Sequence, residues 1–368
     1  MNYKTINQVV TAIFFLIGYS QNISAQEKSN RANSMNSIKS RSSSQPSKLD
    51  KNKNMIQNVN PLMCNPDSGI CEFPQDTQKY ENEQFIKASS DNSSPEKEKK
   101  AIKIIYFTDP ICSSCWGIEP QLRKLKLEYG DEFEIEYKMG GLLPDWSYNS
   151  GGISKPSDVA HHWDEVSLYY QMPIDGDIWL ENPLSSSYPP SIAFKAAQIQ
   201  DGQKAIVFLR ILREMVFLEK KNITENNHIR TAAQKAGLDP DKLLRDMTGK
   251  GLELFSADLQ LAQSMSVRGF PTLILNNSVY QTERIYGFKP YSLFETAINK
   301  LAPLAQKKGY SKDWMSLFSR YSTLTLREFS ELSELDKEQS KSILDDLVTE
   351  KKLTELKTKN GSLWILNH

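Results

Sequence analysis

The stretch FTDPICSSCWGIEP, residues 107–120, constrains this chain more than any other. It sets Cys112 and Cys115 between an apolar run, AIKIIYF from residue 101, and a run of helical spacing, EPQLRKLKLEYG from residue 119. A short apolar run rich in β-branched residues reads as a buried strand. Leu122, Leu125 and Tyr129 recur at helical spacing and stop at Gly130, a helix stop signal. Phe133, Ile135, Tyr137 and Met139 then alternate, which predicts a second strand. Strand, Cys-x-x-Cys turn, helix and strand make one βαβ unit. Cys112 falls at the start of the helix, where free amide hydrogens and the helix dipole favour a thiolate. A thiolate is the nucleophile of disulfide exchange, and Cys115, one turn on, is placed to resolve a mixed disulfide.

Two other chemistries use paired cysteines. One is an inert structural disulfide. The other is zinc, with Cys64 and Cys71 as the second pair of ligands. Six residues separate those two, against about two to four within the usual structural zinc pair. No histidine follows them at ligand spacing, so no metal is expected. Cys64 and Cys71 enclose NPDSGI, a turn-rich loop. Two readings of that pair stay open. It is a local staple, or it is an auxiliary redox pair that exchanges with Cys112 and Cys115. A flexible linker reaches about 5–6 Å times the square root of its residue number, so the intervening segment can span the distance.

The chain's 368 residues leave room for more than one domain. Residues 155–265 are mostly helical in pattern, and TLILNNSVYQTERIYG after them predicts a hairpin. SLFETAINKLAPLA closes the unit as a helix. Residues 310–368 have their own pattern: two helices, TLREFSEL and EQSKSILDDLVTEKKL, then a hairpin turning at Asn360-Gly361. Helix, helix, hairpin is the outline of a winged-helix module. From 323 to 368 there are seven Lys or Arg and nine Asp or Glu. A module that reads a nucleic-acid groove shows a basic face, so a packing or partner-binding appendage is expected. Over the whole chain Lys+Arg and Asp+Glu both total 45. No global charge draws it to nucleic acid or to an anionic membrane.

The N-terminus adds a compartment. Lys4 precedes the apolar run Val9 to Tyr19, and the small residues Ser24 and Ala25 precede Gln26. This is the layout of a secretory signal, expected over residues 1–25. The apolar run is shorter than the roughly 20 residues of a membrane span, so no stable span remains once the signal is removed. The expected location is periplasmic or secreted, where disulfides persist. Residues 26–100 are polar and read as a disordered tether around the Cys64–Cys71 island.

The cysteine segment resembles the active site of thioredoxin-fold oxidoreductases, and more closely the DsbA-like family. Pro120 stands five positions after Cys115, where thioredoxin kinks its first helix. SVRGFPTLIL supplies a counterpart of the family's cis-proline loop at Pro271. The helical block between the halves is similar to the insertion that marks DsbA-like proteins. MGGLLPDW, HHWDEV, MPIDGDIWLENP and SSSYPPSIAFKAA resemble a subgroup of disulfide isomerases and proteolysis adaptors. The resemblance covers residues 101–305 and implies an α/β thioredoxin fold with a helical insertion at about 155–265. It implies Cys112 and Cys115 as the catalytic, disulfide-forming pair, with Phe270 and Pro271 holding an extended substrate strand. It implies no cofactor, since electrons pass through thiols, and as partners protein thiol or disulfide substrates and a redox partner protein.

There are departures. Strongly oxidising members carry a histidine just before the second cysteine, and here that residue is Ser114. Without an imidazolium beside it, Cys112 is expected to be less acidic and the pair less oxidising. Asp109 is expected to act in the same direction, because a nearby carboxylate disfavours a thiolate. The leading expectation is an exported thiol–disulfide oxidoreductase or isomerase. The rival is a non-enzymatic adaptor that binds a client and senses redox state through its cysteines. The similar adaptors are intracellular, which the leader opposes.

Overall fold

The computed structural model describes residues 64–65, 69–72, 100–147 and 155–367, which lie in one compact unit. The expected leader and most of the expected polar tether fall outside the described residues. No described helix is long and apolar enough to cross a membrane.

Two short strands come first, β1 (Cys64–Asn65) and β2 (Ile70–Glu72), paired antiparallel with Cys64 opposite Cys71. The βαβ unit follows as β3 (Ile102–Thr108), α1 (Ser113–Gly117), α2 (Glu119–Tyr129) and β4 (Phe133–Met139). The helix is interrupted before Pro120, as the resemblance implies. The first segment ends at Ile118, and Pro120 sits in the first turn of the second, where its missing N–H costs nothing.

The insertion is seven helices: α3 (Pro156–Tyr170), α4 (Ile178–Glu181), α5 (Tyr188–Gln200), α6 (Gly202–Phe217), α7 (Asn226–Lys235), α8 (Pro240–Met247) and α9 (Lys250–Ser264). The chain returns through β5 (Gly269–Phe270), β6 (Thr272–Asn277), β7 (Thr282–Tyr286) and α10 (Tyr291–Leu301). The main sheet has the order β4-β3-β6-β7, with β3 parallel to β4 and antiparallel to β6. Its strand β3 is buried along one face by Ile102, Ile104 and Tyr106, and on the other at its C-terminal end by Phe107, while Lys103 near its start is exposed. This is a thioredoxin fold with a helical insertion.

The tail forms α11 (Trp314–Arg320), β8 (Thr323–Thr325), α12 (Leu326–Ser333), α13 (Lys337–Thr349), β9 (Leu353–Thr358) and β10 (Gly361–Leu366). A small sheet, β8-β10-β9, closes it. Helix, strand, helix, helix and hairpin complete the winged-helix outline. The sequence pattern misses α11 and β8, which are too short to show a period. The tail has its own core around Phe318, Leu324, Phe329, Leu344 and Trp364. It is also wired to the main domain. Buried Glu328 takes two hydrogen bonds from Arg210, at 2.7 and 3.0 Å, and pairs with Arg123 at 3.3 Å. Two always-charged guanidiniums outweigh the burial of Glu328 and hold its carboxyl below its ordinary value.

Candidate functional site

Cys112 caps α1. Its backbone is extended and its sulfur accepts the amide hydrogen of Cys115 at 3.1 Å. The sequence places the pair this way because a strand ends at Thr108 and a helix begins at Ser113. Cys112 and Cys115 are free thiols, both wholly buried. The Cys112–Cys115 disulfide implied by the resemblance is therefore open. Cys112 instead turns toward another sulfur, that of Cys71, 3.6 Å away. Cys71 is disulfide-bonded.

The contact exists because β2 adds to β5, with Cys71 opposite Phe270 and Glu72 opposite Gly269. The Phe270–Pro271 peptide is cis, as the resemblance implies. The Phe270 backbone, expected to hold a substrate strand, thus pairs with the chain's own β2. The Phe270 ring is buried against Gly140, where a Cβ would come within 1.7 Å of it. A second anchor lies at Gly69, whose carbonyl accepts the Phe288 amide at 2.8 Å. Gly69 has φ +63°, and a Cβ there would lie 2.4 Å from the Phe288 Cβ. Phe288 packs in turn on Tyr169 and Tyr170, with ring centroids 5.8 and 5.1 Å away.

Ser114 has a polar role. Its hydroxyl lies 2.6 Å from the Tyr170 hydroxyl and 3.2 Å from the Cys71 sulfur. A disulfide sulfur carries no hydrogen, so Ser114 is the donor to Cys71 and Tyr170 donates to Ser114. Tyr170 is held over the helix by Gly117, where a Cβ would come within 2.6 Å of its ring. Trp116 pins the same helix to the insertion. Its indole N–H donates to the Pro173 carbonyl at 3.0 Å, and its ring stacks on Phe217.

The charge that acts on the cysteines is Arg213, from α6. It is buried, donates to the Thr108 hydroxyl at 2.6 Å and pairs with Glu119. Burial pushes the Cys112 thiol well up, while the Cys115 amide and Arg213 pull against it. For Cys115 the opposite wins. Burial raises it, but hydrogen bonds with Cys112 and Thr108 and the Arg213 charge outweigh that and lower it. The thiolate expected at Cys112 is therefore disfavoured while the sulfur is covered.

Asp109 also differs from expectation. Its backbone hydrogen bond helps to lower Cys115, while its carboxylate is a loop anchor, accepting the amides of Ile111 at 3.0 Å and Leu142 at 2.8 Å and the Ser187 hydroxyl at 2.9 Å. Burial pushes it up to about 6. Arg213, Tyr170 and Asp109's anchoring role are absent from the sequence reading. The signal for Arg213 was present: it lies beside Leu209, Leu212, Val216 and Phe217 on the buried stripe of α6, where an unpaired charge is costly.

Among known proteins, the thioredoxin family model matches residues 106–296. A protein of Halalkalibacterium halodurans named ClpXP adapter protein SpxH is 31% identical over 316 residues, covering 84% of this chain and 99% of that one. Its Bacillus subtilis namesake is 27% identical, over 72% of this chain and 89% of its own. Among solved structures, the cytosolic disulfide reductase DsbM from Pseudomonas aeruginosa aligns with TM-score 0.43 and 19% identity, over 54% of this chain and 99% of that one. With the family model matched over more than half its length and a 31%-identical relative aligned over most of it, this chain is a member of the thioredoxin family, in the group that includes proteins named as SpxH adapters.

Proposed function

We propose that the chain is an exported thiol–disulfide exchange protein whose Cys112 reacts with disulfides in protein substrates and whose Cys115 resolves the mixed disulfide. The observation that carries this reading is the 3.6 Å approach of the Cys112 sulfur to the sulfur of disulfide-bonded Cys71. It is the arrangement of a nucleophile beside a disulfide, about one van der Waals contact apart. A disulfide at Cys71 also accords with an oxidising compartment. Phe270 and Pro271 present the strand edge to the substrate, and no cofactor takes part. The test is insulin reduction followed by turbidity. Cys112→Ser is expected to lose activity to the uncatalysed rate, and full retained activity would sink the reading.

A second reading is a client-binding adapter, and the comparisons lean toward it. Relatives matched over 89% to 99% of their own length carry the adapter name. Here the same edge strand holds an extended client segment by backbone pairing, and the thiols report redox state. Client capture on immobilised protein separates the two. Capture that is equal for wild type and a Cys112→Ser, Cys115→Ser double variant supports the adapter. Capture lost with the sulfurs supports exchange.

A further inference from the structure

We propose that the Cys64–Cys71 hairpin is a tethered substrate of the Cys112–Cys115 pair: it occupies the strand edge meant for a client and exchanges its disulfide within the chain. The proposal rests on the exchange reading above, and takes Cys64, opposite Cys71 in the ladder, as the other half of the Cys71 disulfide.

Three independent observations converge on it. First, β2 pairs with β5 directly before Pro271. An extended segment added to a free sheet edge is how such edges take peptides, with backbone hydrogen bonds for affinity and alternate side chains for specificity. Second, the alternation of β2 aims Cys71 at the thiols, 3.6 Å from the Cys112 sulfur. A staple needed only to close its own loop has no reason to sit there. Third, the site provides for the sulfur that must leave. Ser114, backed by Tyr170, donates to the Cys71 sulfur, which stabilises it as a thiolate when its bond to Cys112 breaks.

The exchange balances without an outside oxidant. The Cys112 thiolate attacks the Cys71 sulfur. The Cys71–Cys112 bond forms, the Cys71–Cys64 bond breaks, and Cys64 leaves as a thiolate that takes up the proton Cys112 gave up. The Cys115 thiolate then attacks Cys112. The Cys112–Cys115 bond forms, Cys71 leaves as a thiolate beside Ser114, and it takes up the proton released by Cys115. Two electrons pass from the Cys112–Cys115 dithiol to the hairpin disulfide. The hairpin thereby stores the oxidising equivalent of the site. It also masks the site, since both active thiols are wholly buried under the docked arrangement. A client must displace β2 from β5 to reach Cys112.

The test uses the full chain. In Cys115→Ser the second step is blocked, so the intermediate accumulates. Thiols are quenched with iodoacetamide in acid-trapped protein and disulfide-linked peptides are mapped by mass spectrometry without reduction. A Cys71–Cys112 linkage is expected, in a yield that does not change over a tenfold dilution. If Cys71 stays joined to Cys64 and Cys112 is found only alkylated, the proposal is overturned. Cys115→Ala repeats the measurement should the serine variant fold poorly. Gly69→Ala, with all four cysteines kept, removes the docking without touching a sulfur. A positive φ and the approach to Phe288 exclude the added methyl. In that variant the Cys71–Cys112 linkage is expected to vanish, and Cys112 alkylation by a neutral reagent to rise at least tenfold. An unchanged alkylation rate would overturn the masking role. A cyclic disulfide peptide offered to Cys115→Ser, Gly69→Ala distinguishes the layers. If Cys112 traps that peptide while no Cys71–Cys112 linkage forms in Cys115→Ser, the exchange reading stands and the tethered-substrate proposal fails. If the internal linkage forms and no peptide is trapped, the external exchange reading fails alone.

Discussion

At the scale of single residues, the environment of each side chain decides its chemistry. Ser114 illustrates this: between the two cysteines this chain has a hydroxyl wired to Tyr170 and aimed at a disulfide sulfur. Asp109 is the converse case, a carboxylate that serves backbone geometry. It satisfies three donors across two loops, and burial raises its pKa from 3.8 to about 6. A carboxyl whose folded pKa is raised contributes stability that is complete below the unfolded value near 4 and is lost as pH rises through about 6. Two pKa units correspond to about 3 kcal/mol. Asp109→Asn cannot titrate, and its amide nitrogen would face a donor, which costs about 1–3 kcal/mol at any pH. Urea unfolding at pH 4 and pH 7 checks this. The stability advantage of wild type over the variant is expected to shrink by up to about 3 kcal/mol between them, and a gap that widens with pH would contradict it.

At the scale of elements, what matters is which faces meet. The helix α6 carries two arginines to two different tasks. Arg213 faces the cysteines and Arg210 faces the tail, where it meets Glu328 of α12. That carboxylate doubles as the end of a capping box with Thr325, so one residue both starts its helix and docks it. Removing one partner of a buried ion pair leaves the other uncompensated, at a cost of about 3–5 kcal/mol. Glu328→Gln is expected to lose stability of that order at pH 7, measured by chemical denaturation. Because the Glu328 pKa is lowered in the fold, its contribution is present above the unfolded value of about 4.3 and fades as pH falls through the folded one. The deficit of the variant should therefore narrow in acid. The local pattern TLREFSEL reveals the helix and its cap. It does not reveal the two arginines, which lie 118 and 205 positions earlier in the sequence.

At the scale of the whole molecule, two apolar cores are joined by charged contacts. Arg123 donates to the Thr323 carbonyl at 2.8 Å, the Thr323 hydroxyl donates to Glu214 at 2.5 Å, and Thr325 reaches the Met172 sulfur at 3.2 Å. Leu363 of the tail hairpin belongs to the main core. Shared burial of this kind couples unfolding, so scanning calorimetry is expected to show residues of both cores melting in one transition. Two separated transitions would show the tail to be an independent domain. The long helical insertion serves the same coupling, since it carries Arg210, Glu214 and Met172, which meet Glu328, Thr323 and Thr325 of the tail.

The sequence by itself determined most of the longer elements and where the Cys112 and Cys115 pair falls among them. Strand alternation, helical spacing, Pro120, and a Cys-x-x-Cys at a strand-to-helix junction are patterns among neighbours a few residues apart, and backbone sterics and local burial enforce them. The outline of the tail was legible for the same reason, and the Gly-Phe-Pro-Thr loop through its resemblance to the family's cis-proline loop. Only the tertiary structure decided what surrounds the sulfurs. The contact of Cys112 with Cys71 spans 41 positions, that of Ser114 with Tyr170 spans 56, and that of Arg213 with Thr108 spans 105. Such contacts follow from how sheets and helices pack after loops close, and no local pattern encodes that register. The sequence left the Cys64–Cys71 pair as either staple or redox partner; the addition of β2 to β5 is what carries its sulfur to Cys112.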